Sequence, residues 1–131
     1  MKAAHAKRIE RGERWRTPAR LLFWCAVLTV LVLTQTPSRM MPSIIFNVWD
    51  KAQHALAFGA LAVLGTAGYP RQRIAVAIGL LVFGGAIEIA QWLTGWRQGD
   101  WLDLLADAIG IGVALIVTGY WLGSGKRSQP A

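Results

Sequence analysis

The sequence predicts an all-α integral membrane protein, a four-transmembrane-helix bundle with both termini cytoplasmic, and three observations carry that reading. Apolar residues make up 54% of the chain and charged ones only 16%, where a soluble domain carries about a quarter charged. The shortage is concentrated in uncharged stretches close to the ~20 residues that cross a bilayer. Counting Arg20 with the N-terminal arm, eleven of the fourteen lysines and arginines fall in the arm, the second loop and the tail, leaving Arg39, Lys51 and Arg97 on the other side. The positive-inside rule then puts arm, second loop and tail in the cytoplasm.

At 131 residues there is room for one domain. Residues 1–18 read as a basic cytoplasmic arm, with Lys2, Lys7, Arg8, Arg11, Arg14 and Arg16 interleaved with Glu10 and Glu13. The following apolar run lacks a small-residue cleavage site, so it reads as an uncleaved anchor. Residues 19–122 form the membrane domain, and 123–131 a polar cytoplasmic tail. Helix one is expected over Ala19 to Thr36, ended by Pro37. The linker Pro37 to Trp49 is too apolar for an ordinary loop and is expected along the membrane surface. Helix two is expected over Asp50 to Tyr69, helix three over Ile74 to Leu93, and helix four over Trp101 to Leu122. The single Cys25 excludes an internal disulfide and a paired-cysteine metal site.

Ionisable residues within or opening spans two to four all fall in the outer half of the membrane. Asp100, Asp103 and Asp107 recur at i, i+3 and i+7, so they share one helix face, continued by Gly110 and Ala114. Acids on a small-residue face point into a bundle rather than at lipid. His54 lies ~6 Å along the axis from Asp50, Glu88 ~9 Å below the outer end of its helix, and Asp107 ~10 Å down. Asp50 and Asp100 stand where helix N-caps stand, whereas Glu88 and Asp107 read as too deep for caps. An unpaired charge at the bilayer centre costs about 2.5–3.5 kcal/mol, so those two are expected to be paired, protonated or facing a wet cavity. Gly84 and Gly85 beside Glu88, and Ala55 and Gly59 beside His54, offer surfaces for close approach. The expected site is an outward-facing polar pocket built from Asp50, Lys51, His54, Glu88, Gln91, Arg97, Asp100, Asp103 and Asp107. Lys51 and Arg97 would stand at its mouth.

Three blocks carry a resemblance: Asp50-Lys51-x-x-His54-x-x-x-Phe58-x-x-Leu61, then Glu88-x-x-Gln91, then Arg97-x-x-Asp100-x-x-Asp103-x-x-x-Asp107-x-x-Gly110. In that order and spacing they resemble the VanZ-like family of small membrane proteins, over residues 50 to about 118. The family is named for a protein associated with low-level resistance to teicoplanin, a glycopeptide that acts on cell-wall precursors, and its pattern often has an amide where this chain has Asp107. The resemblance implies a multi-pass protein of the cytoplasmic (inner) membrane with a role in the cell envelope.

Several functions stay open on the sequence. A binding protein would hold an envelope lipid or cell-wall precursor headgroup, with Lys51 and Arg97 meeting phosphate or carboxylate and the acids meeting amines or hydroxyls. A membrane enzyme would use Glu88 or His54 as general base, although no nucleophile motif accompanies them. Proton or solute passage would need ionisable groups across the whole bilayer, and the cytoplasmic half has neither acid nor histidine. The polar cluster would alternatively only lock the helices together. No cofactor is expected and no metal, since His54 as the lone histidine among the site residues makes a zinc site thin. The bilayer is the expected partner. Nucleic acid is not, because no soluble domain exists to carry the basic charge.

Overall fold

The computed structural model describes residues 2–35, 43–95 and 100–127, with side chains over 14–35, 49–95 and 100–120. Those residues form four helices: α1 (Lys2–Thr34), α2 (Ser43–Gly68), α3 (Arg73–Thr94) and α4 (Trp101–Arg127). Three contain stretches long and apolar enough to cross a membrane, namely Arg14–Thr34, Arg73–Thr94 and Trp101–Tyr120. The expected all-helical architecture is therefore present. α2 is the fourth helix and carries Asp50, Lys51, Gln53 and His54 in its first half.

Two helix starts differ from expectation. α1 begins at Lys2 rather than Ala19 and runs straight through Pro18. The preceding stretch is rich in Ala, Lys, Arg and Glu, all strong helix formers, and their propensity carries the helix past one missing N–H. α2 begins at Ser43, so part of the apolar linker is already helix. Asp50 consequently lies two turns inside α2 and does not cap it. Residues 36–42, including Pro37, Met40 and Met41, lie outside the described residues.

Contacts at the two ends fix an up-and-down arrangement. At one end the C-terminus of α1 meets α3 through Gln91 Nε2, which donates to the Thr34 carbonyl at 2.8 Å. The start of α4 is there too, because the Asp100 N–H donates to Glu88 Oε2 at 2.8 Å. At the other end Arg20 Nε donates to the Gly68 carbonyl at 3.0 Å, meeting an orphan acceptor at the end of α2. Arg73 Nη2 reaches across to the Leu115 carbonyl at 3.0 Å and Thr118 Oγ1 at 2.6 Å. α2 and α4 thus run parallel to each other and antiparallel to α1 and α3.

The α2–α4 pair is the centre of the fold, with α1 against α2 and α3 against both. Small residues let the two backbones meet. A Cβ at Gly59 would stand 3.3 Å from the Gly110 carbonyl oxygen, and one at Gly110 would overlap the backbone of Ala55. Phe23, Phe58, Leu61, Leu80, Ile87 and Ile111 fill the interior around this seam. Leu22, Leu56, Ile74, Val82, Ile89 and Ile116 are exposed around the perimeter, the face expected of a protein in contact with lipid. Where lipid is as apolar as leucine, close packing and interhelical hydrogen bonds hold helices together.

Candidate functional site

The parallel course of α2 and α4 brings two helical stripes into register. Lys51, His54, Ala55 and Phe58 follow one face of α2, and Asp100, Asp103, Asp107 and Gly110 one face of α4. Lys51 Nζ lies 2.7 Å from Asp100 Oδ2 and 3.1 Å from Asp103 Oδ1. One turn deeper, His54 Nδ1 lies 3.0 Å from Asp107 Oδ1, and both side chains are buried. Below them the Gly110–Ala55 contact closes the seam. The His54 ring stacks on Phe58, centroids 6.4 Å apart and planes inclined by 6°, so its orientation is fixed from two sides.

α3 closes the back of the site. Gly84 faces Asp107 so closely that a Cβ there would stand 2.5 Å from Oδ2, while one at Gly85 would meet nothing within 4 Å. Of the two glycines expected to admit a neighbour, only Gly84 does so. Asp107 Oδ2 is buried and has no hydrogen-bond partner among the described residues, and the same is true of Glu88 Oε1. Glu88 stands within electrostatic reach of Asp103, Asp107 and His54.

Several residues have roles that spacing alone does not disclose. Glu88 is not too deep to cap: its Oε2 accepts the Asp100 N–H and so serves the N-terminus of α4 from a neighbouring helix. Asp100 caps as expected, its Oδ1 accepting the Leu102 N–H at 2.9 Å. The Lys51 ammonium beside Asp100, helped by the Leu102 N–H, holds the Asp100 carboxyl below the usual carboxylate range. Lys51 is itself committed to two carboxylates rather than waiting for an anion. Gln91 is buried and spends its amide on Thr34, tying α1 to α3. Gly95 ends α3 in the left-handed region (φ 66°), with its N–H on the Gln91 carbonyl at 3.1 Å. Arg97 lies outside the described residues, as does the rest of the loop from 96 to 99.

Beside the charged seam, between α1 and α2, a cleft of about 480 Å³ opens. Asp50, Gln53 and His54 line its polar part, and Val30, Leu33 and Phe58 contribute an apolar wall. Sequence reasoning passed over Gln53 because nothing distinguishes it from an ordinary polar residue near a helix start. Ligand atoms of Asp50, His54 and Asp103 lie within 4.8 Å of one another, so these are the residues that could hold a divalent cation. The Lys51 ammonium already places a positive charge on Asp103 there. The arrangement offers hydrogen-bond acceptors to an amine or hydroxyl, and an imidazole whose Nδ1 is held by a carboxylate.

Comparison with protein-family models, with curated proteins and with solved structures finds no match for this chain.

Proposed function

We propose that the protein is a VanZ-like multi-pass protein of the cytoplasmic membrane that binds the headgroup of an envelope lipid or cell-wall precursor in an outward-facing pocket. Four spans, with both termini cytoplasmic, follow from the excess of basic residues at the Arg20–Arg73 end. α2 crosses with the rest because it is packed against all three apolar helices. The observation that carries the binding reading is the shape of the α1–α2 cleft. Its Asp50–Gln53–His54 part meets the charged seam, and its apolar wall would accept an acyl or prenyl chain. With Lys51 engaged by Asp100 and Asp103, the headgroup is recognised through its amines and hydroxyls, by Asp50, Gln53 and His54. Altered display of that lipid would affect envelope stress or glycopeptide tolerance, in line with the family resemblance.

Lipids co-purified with the full chain and identified by mass spectrometry test the reading. One envelope lipid or precursor should be enriched over bulk membrane in the wild type. That enrichment should fall to the bulk level in His54→Gln and Gln53→Leu at unchanged protein abundance. A co-purified profile identical to bulk lipid would remove the binding reading. The buried His54–Asp107 pair favours a second reading, a membrane enzyme using His54 as general base oriented by Asp107. Formation of a modified product by purified protein, abolished in His54→Gln, would put that reading first.

A further inference from the structure

From the arginine-rich end a second cleft of about 350 Å³ runs between α1 and α3. Phe23 and Trp24 of α1 face Val76, Gly79, Leu80 and Phe83 of α3 across it. A Cβ on Gly79 would meet nothing within 4 Å, so its wall there stands open. Gln72 to Phe83 measures ~16 Å along α3, about half of a ~30 Å hydrocarbon core. The cleft therefore has the depth of one leaflet.

Its mouth is polar and cationic. Tyr69 and Gln72 line it, the Arg20 guanidinium lies 4.8 Å over the Tyr69 ring, and Trp24 Nε1 donates to the Tyr69 hydroxyl at 3.1 Å. Arg71 is exposed in the turn next to Gln72. No acid occurs anywhere from 14 to 49 or from 52 to 87, so the α1 and α3 segments that form this cleft carry positive charge alone. The α1–α2 cleft has the opposite character, with Asp50 in its wall.

We propose that the α1–α3 cleft is a binding site for an anionic phospholipid of the bilayer. One acyl chain lies between Phe23, Val76, Leu80 and Phe83, and the phosphate sits at the mouth against Arg20 and Arg71. A chain in the cleft fills space that helix packing leaves open. The guanidinium fork matches phosphate oxygens, and basic pockets between spans favour anionic over zwitterionic headgroups. Arg20 is placed for this by two fixed contacts, Nε on the Gly68 carbonyl and its plane on Tyr69. The site lies at the other end of the bundle from the outer pocket, and neither one depends on the other.

The test is native mass spectrometry of the full chain in detergent, titrated with phosphatidylglycerol and with phosphatidylcholine of the same acyl composition. The wild type should retain one phosphatidylglycerol roughly tenfold more tightly than phosphatidylcholine. Arg71→Gln touches no described structural contact and should reduce that preference severalfold, and Arg20→Gln should remove most of what is left. Gly79→Leu, whose side chain enters the open cleft, should lower phosphatidylglycerol retention while the bundle stays folded. Equal retention of the two lipids by the wild type would overturn the proposal. So would phosphatidylglycerol binding that is unchanged in both Arg71→Gln and Gly79→Leu.

Discussion

Asp107 holds His54 with one carboxylate oxygen and turns the other toward Gly84, where it is buried without a donor among the described residues. Deleting the side chain leaves the buried Nδ1 of the imidazole without its partner. Asp107→Leu should therefore lower stability by about 1.5–3 kcal/mol, the range for hydrogen bonds to charged groups. Asp107→Asn keeps an acceptor for Nδ1 and should lose less than half of that, read as denaturant or thermal unfolding in detergent. Equal losses in the two variants would mean that His54 does not depend on this bond. The rim behaves differently. The Asp100 carboxyl is held low by Lys51, so its ionised contact contributes stability above the ordinary carboxylate value near 3.9, and that contribution disappears as pH falls through the lower folded value. The stability gap between wild type and Asp100→Asn should stay constant from pH 7 to about pH 4 and close below it. A gap that closes between pH 7 and 5 would show that another group carries the contact.

At the scale of the element, Gly110 decides how near α2 and α4 can come. Gly110→Val sets side-chain atoms against the Ala55 backbone, which cannot rotate away as a side chain would. The helices must separate, and the Lys51 and His54 contacts above would be drawn apart with them. A loss of about 3 kcal/mol is expected, together with loss of whatever the α1–α2 cleft binds. Gly112→Ala meets nothing within 4 Å and should be neutral, or stabilising by up to about 1 kcal/mol from helix propensity. Comparable destabilisation by both would remove the close seam as the reason. The α4 face was legible in the sequence because Asp100, Asp103, Asp107, Gly110 and Ala114 repeat with the helical period and nothing else explains acids in an apolar run. The start of α2 was not: Pro42 and the apolar residues after it look like a surface linker, which made Asp50 look like a cap. The roles of Glu88, Gln91 and Arg73 depend on which groups of another helix come within their reach, and residue spacing within one helix holds no record of that.

At the scale of the whole molecule, charge among the side chains described separates by end as well as by sign. Carboxylates from α2, α3 and α4 gather around Lys51 and His54 at one end, while Arg20, Arg71 and Arg73 hold the other. Two of those arginines have structural work in the folded bundle, since Arg20 serves the end of α2 and Arg73 reaches the Leu115 carbonyl and Thr118 of α4. The same residues that would retain this end in the cytoplasm during insertion therefore fasten the helices after it. That double use predicts different outcomes for two experiments on the same side chains. In reporter fusions, an enzyme active only outside the cytoplasm should work when joined after Gly95 and fail when joined after Arg71, given four spans with cytoplasmic termini. Arg71→Gln should leave both that pattern and stability unchanged, because ten basic residues stay on the same side. Arg73→Gln should also leave the pattern unchanged but lower stability, by about 1–3 kcal/mol for bonds donated by a charged group. An active fusion after Arg71 would reverse the bundle in the membrane, and the acidic site would then open to the cytoplasm.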